Sequence, residues 1–153
     1  MFRRAGLLMV LVLVMSVFLA ACGDETATIP TYSGASAVTL PYTIKSQFTA
    51  SAGSVKNPKV EAFKSSDEAA KIKSGLVDGF KKNGWTDKTD EAMKSAGDSF
   101  KQLEGMGAFV IGFEKGSSAA VVMGLPGSLA GALSISGVEQ KDTLYMVFSG
   151  SNK

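Results

Sequence analysis

The chain has 153 residues, with 16 Lys and Arg against 14 Asp and Glu, no His and one Cys. Without histidine, a Ser–His–Asp triad and a Cys–His dyad are impossible, and zinc or copper sites, which draw on His and Cys, are disfavoured. The only arginines are Arg3 and Arg4, so a chain lacking them carries 14 Lys against 14 acids, and a broadly basic nucleic-acid-binding surface is not expected. Bidentate arginine recognition of phosphate is unavailable to such a chain. No Ser-x-x-Lys, Walker A or Gly-x-Gly-x-x-Gly pattern occurs; after Gly105-Met106-Gly107 the third glycine position holds Val110. No cofactor or metal is expected.

Arg3 and Arg4 precede an apolar run from Leu7 to Ala21, broken only by Ser16. The run falls short of the ~20 apolar residues of a spanning helix and suits a signal-peptide h-region of about 7–15 residues. It ends Leu19-Ala20-Ala21-Cys22. This ending resembles the lipobox of bacterial lipoproteins. The resemblance implies that Leu19, Ala20 and Ala21 are the cleavage recognition residues. It also implies that the chain is cut before Cys22, and that Cys22 carries a diacylglyceryl group on sulfur and often an acyl chain, such as palmitate, on its amine. The expected location is a cell membrane, lipid-anchored on the extracytoplasmic side, inner or outer undetermined. Gly23 lacks the aspartate that retains some lipoproteins at an inner membrane, and Asp24 lies one place too late. An ordinary signal peptide, or an uncleaved anchor with a chance cysteine, is the alternative. The cysteine's solitude argues against it: Cys22 has no intramolecular disulfide partner, and a lone thiol in an exported protein is open to oxidation.

The expected organisation is a signal peptide over 1–21, a flexible lipid tether over 22–37 and one small domain over 38–153. The tether is rich in small and polar residues and, fully extended, spans about 50 Å at ~3.3 Å per residue. Partial packing through Tyr32 is the alternative. Leu40-Pro41 opens a short helix, Pro41 suiting its first turn, with Ile44 and Phe48 on one face. Val60, Ala62 and Lys64 alternate with Glu61 and Phe63 as a strand. Ser65-Ser66-Asp67-Glu68 reads as a capping box with Ser65 as N-cap, opening a helix over 66–83. Its apolar face is Ile72, Leu76 and Phe80, and it stops at Asn83-Gly84 with Trp85 folded back. Residues 86–104 have helical spacing at Met93, Ala96, Phe100 and Leu103, weakened by Gly97 and Asp98.

The period then changes to two. Phe109, Ile111 and Phe113 form a strand, Lys115-Gly116-Ser117 a turn, Ala119 to Met123 a paired strand and Asp142 to Phe148 a last strand. These elements predict an α/β chain of α+β type. The architecture is a two-layer sandwich: a mainly antiparallel sheet of about four strands with helix 66–83 packed on one face. From about 58 to 148 the order of strand, Ser-Ser-Asp, helix ending Gly84-Trp85 and hairpin strands is similar to a pattern in small uncharacterised exported bacterial α/β proteins, a resemblance that concerns fold.

Candidate sites are few. Asp87, Asp90 and Glu91 form the densest acidic cluster, readable as a cation site or paired carboxylates, or as a solvated helix start. Lys71, Lys73, Lys81, Lys82 and Lys88 make residues 45–88 locally basic, nine Lys against five acids. That is readable as a face toward anionic headgroups or as the exposed side of an amphipathic helix. The Gly- and Leu-rich stretch 124–137 offers Leu125, Leu129 and Leu133, with Trp85, as a ligand or partner surface, or as packing. The expected function is a non-enzymatic binding or structural role in the cell envelope. Its partners are membrane lipid through Cys22 and an envelope protein or apolar ligand, with no nucleic acid. One alternative is an apolar-ligand carrier or sensor with a pocket near 124–137; a weaker one is a hydrolase using carboxylates alone.

Overall fold

The computed structural model describes residues 27–53 and 55–151. The signal peptide, the lipobox and Cys22 lie outside the described residues. Among the described residues, no helix is long and apolar enough to cross a membrane.

The strands are β1 (Ser36–Val38), β2 (Lys56–Ser65), β3 (Thr86–Asp87), β4 (Phe109–Lys115), β5 (Ser118–Pro126) and β6 (Thr143–Ser151), and the helices are α1 (Tyr42–Ser51), α2 (Ala69–Lys82) and α3 (Thr89–Glu104). The strands form one sheet in the order β1-β2-β6-β5-β4-β3, antiparallel at every pairing. The sheet has six strands rather than about four because two short edge strands, β1 and β3, flank the four longer ones.

Alternate residues of the central strands feed two separate cores. Val110, Val121, Met123, Leu125, Leu144, Met146 and Phe148 pack with α1 and α3. Phe109, Ile111, Phe113, Ala120, Val122, Tyr145 and Val147 pack with α2. The chain is therefore a three-layer sandwich rather than the two-layer one expected. A strand buried on both faces needs no polar side and so reads as a continuous apolar run.

Local chemistry accounts for the helices. Helix α1 begins after Pro41, whose carbonyl accepts the amides of Ile44 and Lys45 at 3.1 and 3.2 Å, and it buries Ile44 and Phe48. Helix α2 buries Ile72, Leu76 and Phe80, worth about 1.5–3 kcal/mol each. The expected capping box does not form: Glu68 occupies the N-cap position without a side-chain cap bond. Ser65 instead ends β2, paired with Thr143, and its Oγ accepts the Asp67 amide at 3.2 Å. At the other end, Gly84 takes φ +77°, and the amides of Trp85 and Gly84 donate to the carbonyls of Phe80 and Lys81. That left-handed stop is open to glycine without strain. Helix α3 exists over the segment with the weaker pattern, kinked at Gly97 (φ +69°, ψ −175°), and buries Ala92, Ala96, Phe100 and Leu103.

Candidate functional site

The N-terminal segment is docked on the domain. Ala27, Ile29, Tyr32 and Ala35 pack against the core beneath α2, and Ser36–Val38 joins the sheet edge. Residues 22–26 of the expected tether lie outside the described residues; from 27 onward the chain is a strap over residues 27–38, packed through Tyr32 as in the alternative reading. The Ala27 amide donates to Ser118 Oγ at 3.1 Å and the Tyr32 amide to Tyr145 Oη at 3.1 Å. The strap runs antiparallel to α2, with Pro30 against Gly79 and Tyr32 against Gly75. Two glycines in a helix interior cost about 0.5–1 kcal/mol each relative to alanine; here Gly75 lets the Tyr32 ring lie against the helix backbone, while a Cβ at Gly79 would meet Pro30 at an ordinary distance.

Tyr32 Oη donates to Asp67 Oδ2 at 2.7 Å, and Lys71 Nζ donates to Asp67 Oδ1 at 2.9 Å. The hydrogen bond from Tyr32, then that from Lys71, holds the Asp67 carboxyl below its ordinary value. The bond to Asp67, then burial, pushes the Tyr32 hydroxyl up, and the bond to Asp67 does the same for Lys71. Burial also raises the Tyr145 hydroxyl. The latch is a charge-assisted chain that fastens the strap to the N-terminal end of α2.

A groove of about 500 Å³ opens where the strap begins, with Ile29, Phe63, Trp85 and Ala119 on its apolar side and Asn57, Lys59 and Glu61 on its polar side. Lys59 and Glu61 pair with each other at 3.0 Å. Trp85 Nε1 is buried with no hydrogen-bond partner among the described residues.

The other candidates fall elsewhere. Leu125 and Leu133, 0% and 6% exposed, belong to the core under α1 and α3, with Leu129 packed against it. Trp85, 3% exposed, sits in the opposite core with its ring 5.3 Å from that of Phe80. The four do not form one surface: Leu125 and Leu133 are spent in one core and Trp85 in the other, while the exposed residues of the stretch include Ser134, Ser136 and Gly137, which border a separate groove.

Asp87, Asp90 and Glu91 border one groove together with Lys88 and Thr89, and two of the three acids are engaged with lysines. Asp87 Oδ1 accepts the Thr89 amide at 3.0 Å, and Lys81 lies 3.4 Å from Asp87 Oδ2. Burial pushes the Asp87 carboxyl up, but the Thr89 bonds and Lys81 outweigh it and hold it low. Glu91 pairs with Lys88 at 3.3 Å, and Asp90 is exposed. Among the described residues, no group of three His, Cys, Asp or Glu could hold a metal ion. Three of the five lysines of the expected basic face, Lys71, Lys81 and Lys88, are tied to acids. Of the residues that build the strap site (Tyr32, Asp67, Gly75, Gly79 and Ser118), Tyr32 is marked in the sequence as a packing residue within the tether, and a further signal is the pair of glycines four apart inside an otherwise strong helix.

No family model matches the chain, and neither a curated protein nor a solved structure matches it.

Proposed function

We propose that this protein is a bacterial envelope lipoprotein, exported, cut before Cys22 and held by lipid on Cys22 at the extracytoplasmic face of a membrane. Its domain performs a non-enzymatic binding or structural role. The observation that carries the reading is the sole cysteine placed directly after Leu19-Ala20-Ala21 at the end of a short apolar run. More than one lipid chain on a single residue is what stable anchoring requires. The docked strap adds a reason for the anchor to be near the domain. Only four residues separate Cys22 from Ala27, so the lipid holds the folded layers close to the membrane instead of at the end of a long leash.

The non-enzymatic reading is supported by a His-free chain and by carboxylates bound to lysines. The carrier reading loses the support of its leucines, because Leu125 and Leu133 are core residues, and keeps a groove of about 560 Å³ lined in part by Ser134, Ser136 and Gly137. The test is metabolic labelling with a clickable palmitate. Wild-type protein incorporates label and partitions with membranes, whereas Cys22→Ser does neither. Undiminished labelling of Cys22→Ser overturns the proposal.

A further inference from the structure

The strap determines which end of the sheet lies next to the anchor. Ala27 is bonded to Ser118, and Ser118 belongs to the outermost row of the sheet, in which Lys56 pairs with Ser151, Ser151 with Ser118 and Ser118 with Lys115. Lys115 Nζ donates to the Asn83 carbonyl at 2.7 Å, which brings the last turn of α2, with exposed Lys82, to the same end. The five Cα-to-Cα steps from Cys22 to Ala27 cannot exceed about 18 Å, at ~3.3–3.6 Å per step.

Charge separates the rim from the row behind it. Glu114 is 4.0 Å from Lys88, Asp87 is 3.4 Å from Lys81 and Glu61 is 3.0 Å from Lys59. These acids have lysine partners other than the rim pair Lys82 and Lys115, with Lys88 shared between Glu91 and Glu114, and Lys115 bonds a carbonyl, not a carboxylate. The link carries Asp24 and Glu25, so the link itself does not draw the domain to an anionic surface. At the opposite end of the sheet, Met106 links α3 to the start of β4; with Tyr42 at the start of α1 it is, among the described residues, one of two exposed large apolar residues, at 43% and 83%.

Resting on the Cys22 anchor proposed above, we infer that the end of the domain formed by the β4–β5 turn, the start of β2 and the last turn of α2 is the surface that lies on anionic lipid headgroups. Lys82 and Lys115 make the contact, and the end bearing Met106 is turned away from the membrane. The docked strap brings this rim within reach of the surface, where charges act over about 8–10 Å before salt screens them.

The test uses the mature lipidated protein in phosphatidylcholine–phosphatidylglycerol vesicles. Because the one natural cysteine is consumed by lipid, an introduced cysteine is a unique thiol. Asn83→Cys and Met106→Cys are each labelled with bimane and quenched by a headgroup nitroxide. The expected result is several-fold stronger quenching at position 83 than at 106, a contrast that shrinks in high salt and in the double variant Lys82→Glu/Lys115→Glu. Equal quenching at the two positions, or stronger quenching at 106, overturns the orientation. A contrast unchanged by the double variant overturns the headgroup contact. Vesicle flotation in the same samples isolates the anchor: proteins that float without a quenching contrast refute only this inference, whereas failure to float refutes the anchor and this inference together.

Discussion

Tyr32 occupies the space that a side chain at Gly75 would need: a Cβ at position 75 would lie 2.6 Å from Tyr32 Cε2. At Gly79, four residues on, the corresponding Cβ would meet Pro30 at an ordinary 3.6 Å. The strap and α2 are therefore in backbone-close contact at one glycine and in looser contact at the other.

That difference sets two substitutions apart. Gly79→Ala gains helix propensity of up to about 1 kcal/mol with little steric cost, and the melting temperature should rise. Gly75→Ala gains the same propensity but must push the Tyr32 ring aside, so the strap should loosen. Limited proteolysis reads the outcome: faster cleavage within residues 27–41 for Gly75→Ala, unchanged cleavage for Gly79→Ala. Identical behaviour of the two variants would contradict the tight crossing.

The Tyr32–Asp67–Lys71 latch should depend on pH at both extremes. The Asp67 carboxyl is held below its ordinary value of 3.8, so its contribution is present above 3.8 and is lost as pH falls through the lower folded value. The Tyr32 hydroxyl and the Lys71 ammonium are raised above 10.0 and 10.5, so their contributions are present below those values and are lost as pH rises past the raised ones. The melting-temperature gap between wild type and Asp67→Asn should stay level across the neutral range and close in acid. A gap that widens in acid would contradict the latch.

Phe80 joins α2 to the sheet, its ring stacked on Phe113 at 4.0 Å and set edge-on to Trp85 at 5.3 Å. Phe80→Ala should destabilise by about 3–5 kcal/mol, as large-to-small changes in a packed core do. Denaturant unfolding measures it, and a loss below about 1 kcal/mol, the level of ordinary surface changes, would show that α2 is not held this way.

Much of this was legible in the residues. Ile44 and Phe48 marked α1, Ile72, Leu76 and Phe80 marked α2, and Gly84 marked its stop, because each signal is local and periodic. The strap was hidden. Small and polar residues such as Thr28, Thr31, Ser33 and Gly34 read as linker, and what holds them is long-range: Ser118 for Ala27, and Tyr145 and Asp67 for Tyr32. The third layer was hidden for a related reason. Alternation in β4 and β6 shows which residues share a face, but not whether one face or both are covered. For the leucines of 124–137 composition leaves surface and packing both open, because it does not distinguish an apolar surface from a core turn; Ala130, Leu133 and Ile135 close the core there.

The acidic cluster should divide by geometry. Asp90 and Glu91 are exposed, so Asp90→Asn and Glu91→Gln should change stability by no more than about 0.5 kcal/mol. Asp87→Ala removes the acceptor of the Thr89 amide at the start of α3 and should cost about 1 kcal/mol, in the range of lost helix caps. Titration calorimetry with calcium should show no binding heat for wild type. A saturable calcium signal abolished by Asp90→Asn would contradict the solvated-cluster assignment.

The account turns on what is attached to Cys22. Mass spectrometry of the N-terminal peptide from membrane-extracted protein tests it most directly. The predicted result is a chain that begins at Cys22 and carries the added mass of a diacylglyceryl group, with or without a further acyl chain. A chain that begins elsewhere, or an unmodified Cys22, would contradict it.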